Sequence, residues 1–70
     1  MGIGDLERND VGAAVRYVEE VLDAGRDPDP DDGQTLRMLQ DDPAELEAAL
    51  QALYADRARR GLRVPSFWEG

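Results

Sequence analysis

The sequence predicts an all-α fold, and three observations carry that prediction. Two stretches, about residues 10–24 and 43–60, space their apolar residues by three and four, the period of one helical face. Each has a polar or proline-marked start and a closing glycine. Between them, residues 26–33 form an acidic segment rich in proline and glycine. The expected architecture is a small antiparallel pair of those two helices. A short middle helix at about 33–40 crosses one end, and an apolar C-terminal tail completes the chain. All 70 residues make one domain.

Residues 1–8 read as a short N-terminal arm without a clear pattern. In the first helix, Val11, Ala14, Val15, Val18, Val21 and Leu22 share one face. Asn9 or Asp10 can accept from the free N–H groups of its first turn, and Gly25 can take the left-handed conformation that ends it. Its valines lower intrinsic propensity, so this helix must rely on packing.

Residues 26–33, Arg-Asp-Pro-Asp-Pro-Asp-Asp-Gly, read as an acidic linker, extended by charge repulsion and closed to a continuing helix by its prolines. Leu36, Met38 and Leu39 then suggest one or two helical turns from about Gly33 to Gln40, capped by Asp31 or Asp32. The third helix has the best start signal. Asp42 precedes Pro43, with Glu45 three residues after Asp42, so cap and reciprocal carboxylate are both in place. Leu46, Ala49, Leu50, Leu53 and Tyr54 make its buried stripe. Arg57, Arg59 and Arg60 suit the negative end of its dipole, and Gly61 closes it. The expected core is Val11, Val15, Val18, Leu22, Leu36, Leu39, Leu46, Leu50, Leu53 and Tyr54.

Composition narrows the chemistry. Cysteine and histidine are both absent, which removes disulfides and the usual zinc ligands. All eight basic residues are arginine, a trace of a GC-rich genome. Residues 1–56 carry fifteen acids against four arginines, net -11, and residues 57–70 carry four arginines against one acid, net +3. So acidic a body repels nucleic acid and anionic membranes, and neither is expected as a partner. No apolar run approaches the roughly 20 residues of a membrane span, and neither a signal peptide nor a myristoylation pattern is visible, so a cytoplasmic location is expected.

No catalytic, cofactor-binding or metal-ligating residue is assigned. Counted from Asp27, a calcium loop would need glycine sixth and glutamate twelfth; Asp32 and Met38 stand there instead. Glu19, Glu20, Asp23, Glu45 and Glu47 flank the apolar stripes and read as a solvated face. Thr35 and Ser66 have neither histidine nor lysine to activate them. The Asp-Ser-Leu motif through which acyl carrier proteins hold their phosphopantetheine arm is missing, for the one serine lies between Pro65 and Phe67.

The tail, residues 62–70, is the feature with interaction potential. Leu62, Val64, Phe67 and Trp68 are a large apolar load for nine residues, flanked by Arg60 and Arg63. These six are the candidate partner-binding residues. A core this small needs help, so the tail either folds back between the helices or anchors in a partner. The expected function is a non-catalytic protein–protein interaction module, a small accessory subunit or adaptor in a larger bacterial or phage assembly. Its partner is another protein or a second copy. The alternative is an acidic inhibitor that imitates nucleic acid and occupies a basic groove.

Overall fold

A computed structural model describes residues 8–68. The expected arm falls outside them except for Arg8. Three helices follow in order, α1 (Val11–Asp23), α2 (Pro30–Met38) and α3 (Pro43–Arg59), and no strand occurs among the described residues. The fold is all-α. No helix among these residues is long and apolar enough to cross a membrane.

The caps explain where the helices begin and end. Asp10 caps α1, its Oδ1 accepting from the Ala13 N–H at 3.0 Å. Asp42 caps α3 in the same way through the Ala44 N–H at 3.1 Å, with Pro43 first in the helix. Gly25 and Gly61 have positive φ, +81° and +74°. Each closes its helix with a pair of reverse hydrogen bonds: Gly25 N–H to Leu22 O and Arg26 N–H to Val21 O, then Gly61 N–H to Ala58 O and Leu62 N–H to Arg57 O.

The middle helix departs from expectation. It begins at Pro30 rather than near Gly33, so residues 30–33 are helix and not extended linker. Its cap is Asp29, not Asp31 or Asp32, with the Asp31 N–H donating to Asp29 Oδ1 at 2.8 Å. Pro30 blocks no helix because it stands first, where a missing N–H costs nothing. Asp31 and Asp32, in the first turn, favour the positive end of the helix dipole.

The topology also differs from expectation. Asn9, just before α1, accepts from the N–H of Asp41, just before α3, at 3.3 Å. At the other end Asp23, the last residue of α1, pairs with Arg57 in the last turn of α3. Starts lie with starts and ends with ends, so α1 and α3 run the same way and are not antiparallel. The return leg is α2, whose nine residues rise about 13 Å and run back along α1 instead of crossing one end of the pair. Leu39, just past its end, accepts from the Asn9 N–H at 2.5 Å. A full return leg makes the third helix repeat the direction of the first.

The core is Ala14, Val18, Leu22, Leu36, Leu46, Leu50 and Tyr54. Val11, Val15 and Leu53, expected inside, are half-buried and pack against it, together with Tyr17. Leu39 is also only half-buried, since it lies beyond the end of α2. Ala14, not placed in the expected core, is fully buried, its small side chain leaving room for its neighbours.

The tail folds back. Val64 and Trp68 pack on the core and Pro65 is fully buried. Trp68 meets Tyr54 edge to face, ring centroids 6.2 Å apart, and its Nε1–H donates to Gln51 Oε1 at 2.8 Å.

Candidate functional site

Two kinds of surface result from this packing. Between α1 and α3 the far end is clasped shut. Arg57 is only 3% exposed, its Nε donating to the Arg63 carbonyl at 2.6 Å while Nη2 lies 2.9 Å from Asp23 Oδ1. Asp27 adds a second clasp, accepting from Ser66 Oγ at 2.5 Å and from Arg63 Nη2 at 3.2 Å. The Ser66 hydroxyl, then the Ser66 N–H and Arg63, hold the Asp27 carboxyl below the usual carboxylate range. An acid held ionised in this way is a weak general base. The Ser66–Asp27 pair fastens the tail to the segment after α1.

Between α2 and α3 the surface stays open. A groove of about 260 Å³ reaches the core, its floor made by Val18, Leu36, Leu46, Leu50 and Tyr54. Tyr17 and Asp32 form one rim, the Tyr17 hydroxyl donating to Asp32 Oδ2 at 2.7 Å. That hydrogen bond, helped by desolvation, pushes the Tyr17 pKa above its ordinary value. Burial does the same to Tyr54. The Arg37–Glu47 ion pair forms the other rim. Pro28, Asp29, Pro30 and Gly33 line the α2 end, and Phe67 stands at the mouth, 65% exposed. A more open recess adjoins it behind Asp29 and Asp32, with Arg26 and Asp27 in its wall.

The six candidate tail residues divide between these surfaces. Val64 and Trp68 support the protein's own core, and of the six only Phe67 reaches the groove. Leu62 is 41% exposed just past α3. Arg60 pairs with Asp56 at 3.3 Å, and Arg63 pairs with Asp27. Hydrogen bonds from Arg60 and Arg59 lower the Asp56 pKa. The groove residues on α2 and the α3 face, Gly33, Arg37, Glu47 and Gln51, had no motif to mark them. A glycine inside an amphipathic helical turn was the one available signal.

Among the described residues no group of three or more acids is placed to hold a metal ion. No protein-family model matches the chain, and neither a curated protein nor a solved structure matches it significantly.

Proposed function

We propose that this chain is a non-catalytic protein–protein interaction module, a small accessory subunit or adaptor in a larger bacterial or phage assembly. One observation carries the reading: a groove with a buried apolar floor of Val18, Leu36, Leu46, Leu50 and Tyr54, and Phe67 exposed at its mouth. Exposed aromatics beside a concave apolar surface are how proteins present anchoring sites to one another.

The test is site-specific crosslinking. A photoreactive aromatic replaces Phe67 in cells that make the protein natively, with and without Gly33→Leu, which projects a side chain into the groove. One discrete adduct, lost in the Gly33→Leu background, is expected. An adduct pattern unchanged by Gly33→Leu overturns the reading.

A second reading has one observation in its favour: Glu20, Asp29, Asp31, Asp42 and Glu45 are all exposed. An inhibitor that imitates nucleic acid would present such carboxylates to a basic groove. Its complex would fall apart steeply with salt and be displaced by DNA. A complex held through the apolar groove would resist both.

A further inference from the structure

We infer that the groove takes a cationic segment: a stretch of a partner protein that inserts one or two large apolar side chains and carries lysine or arginine beside them. The inference rests on the reading of the groove as a protein-binding surface and names the chemistry of its occupant.

Size sets the first limit. A cavity of about 150 Å³ holds a benzene ring, so a groove of about 260 Å³ takes one large side chain or two smaller ones. The floor has only leucine, valine and the Tyr54 ring to offer, so the inserted groups are apolar. They would extend the protein's own core outward.

Charge sets the second. The groove lining holds Asp29, Asp32 and Glu47 against Arg37. Arg37 is occupied by Glu47, while among the described residues Asp29 and Asp32 have no cationic partner within ion-pair distance. Those two carboxylates also line the adjoining recess, with Asp27 and Arg26 beside them, and Asp27 is already paired with Arg63. With Arg26 offsetting one of the two carboxylates, the mouth keeps a net negative charge. A second copy of this chain, at net charge -8, would bring like charge to like. An acidic partner meets the same objection. A cationic flank complements the mouth and lets the apolar anchor reach the floor.

Gly33 fits the same picture. It lines the groove from within α2, and a Cβ built there meets nothing nearer than Arg37 Nη1 at 3.6 Å. Space lies open over that position.

The experiment uses the whole chain and three fluorescent peptide probes of equal length. One has a Leu-Phe anchor flanked by lysines, the second has the same anchor flanked by glutamates, and the third has lysines with the anchor changed to alanine. Binding is read by anisotropy at low and moderate salt, and amide shifts at Gly33, Leu36 and Leu50 locate the site. The lysine-flanked anchor should bind about tenfold tighter than the glutamate-flanked one, as two favourable rim charge pairs would give. In Asp29→Asn with Asp32→Asn that advantage should vanish. Asparagine caps a helix as well as aspartate does, and its amide oxygen still accepts from Tyr17, so the fold is kept. Gly33→Leu should abolish binding of both anchored probes while circular dichroism stays helical.

Equal affinity for lysine and glutamate flanks overturns the cationic partner but leaves the groove as a binding surface. Binding of the alanine probe as tight as the anchored one overturns it too, since charge alone would then suffice. No binding of either anchored probe, or binding indifferent to Gly33→Leu, overturns the groove itself. A dimer in light scattering that Gly33→Leu dissociates replaces the cationic partner with a second copy.

Discussion

The two seams that α3 makes with its neighbours are built to opposite ends. Toward α1, the seam is fastened at its far end by Arg57 and Asp23, and beside it Asp27 holds Ser66 and Arg63. Toward α2, the seam has leucines at its floor and is spanned at the surface by the exposed Arg37–Glu47 ion pair rather than by a buried clasp. The difference follows from what each helix contributes. The inward face of α1 carries Ala14, Val18, Val21 and Leu22, whereas Leu36 is the one buried residue of α2. A helix with a single inward anchor can return the chain but cannot seal a groove. So small a domain has little stability to give away, and the tail closes one seam only. The pattern teaches that the open seam is where a partner's apolar surface would add most.

Tyr54 joins the two, flooring the groove on one side and meeting Trp68 on the other. Tyr54→Ala should therefore break both at once, with the largest effect of any single change. Loss of a buried aromatic costs about 3–5 kcal/mol. A 70-residue domain has a total stability of roughly 4–10 kcal/mol. Urea denaturation followed by circular dichroism should find the variant partly unfolded in buffer alone. A shift under about 1 kcal/mol would mean that the seams do not share this residue as a keystone.

Arg57→Met separates the seams. Methionine keeps much of the apolar stem but drops both the bond to the Arg63 carbonyl and the pair with Asp23. A cost of about 1–3 kcal/mol is expected, because a carbonyl near the clasp loses its donor. Trp68 emission should shift to the red as the tail loosens, and probe binding in the groove should change little. Groove affinity that falls in step with stability would show the two seams to be coupled.

Acid tests the second clasp. The folded pKa of Asp27 is lowered, so its contribution is present above the unfolded value and is lost as pH falls through the folded one. The tail stays fastened at neutral pH and loosens only below the ordinary carboxylate range. Trp68 emission, followed from pH 7 downward, should hold steady and then redden in that range. In Asp27→Asn the acid step should shrink. An unchanged step would place the acid sensitivity at other carboxylates, with Asp56, also lowered by its arginines, the next to replace.

Much of this molecule is legible from residue order, and what is not has physical causes. The helical class, Asp42 as a cap, Asp10 as one of two cap candidates, and Gly25 and Gly61 as stops are all readable, because each uses a local rule. The start of α2 uses the same Asp-Pro device as α3, yet Asp29-Pro30 sits inside a run of acids that reads as extended linker. The direction of α3 is not legible because a middle helix of nearly the expected length runs back along α1 instead of crossing one end, and packing rather than a local signal sets that path. Arg57 was assigned to the helix dipole with its neighbours, because nothing local distinguishes a buried arginine from two exposed ones. The groove was invisible for a deeper reason: it is a gap between helices, and a gap has no residue of its own. Only Phe67 was both a candidate from the sequence and part of the lining.

The smallest expected effect asks whether the open seam is kept open at a cost. Three glycines give the contrast. Gly25 and Gly61 have positive φ, so alanine at either should destabilise by about 1–2 kcal/mol, through left-handed strain. Gly33 sits inside α2 with helical backbone, and an alanine Cβ there would make only an ordinary contact with Arg37 Nη1 at 3.6 Å. Gly33→Ala should therefore stabilise, by up to about 1 kcal/mol, since glycine is that much poorer in a helix interior. Thermal melts of the three variants side by side should show two falls and one rise. A rise at Gly33 means the chain forgoes stability at an α2 position that opens onto the groove. A fall there would mean the α2 backbone cannot accept a side chain, and the open seam would then be a consequence of packing alone.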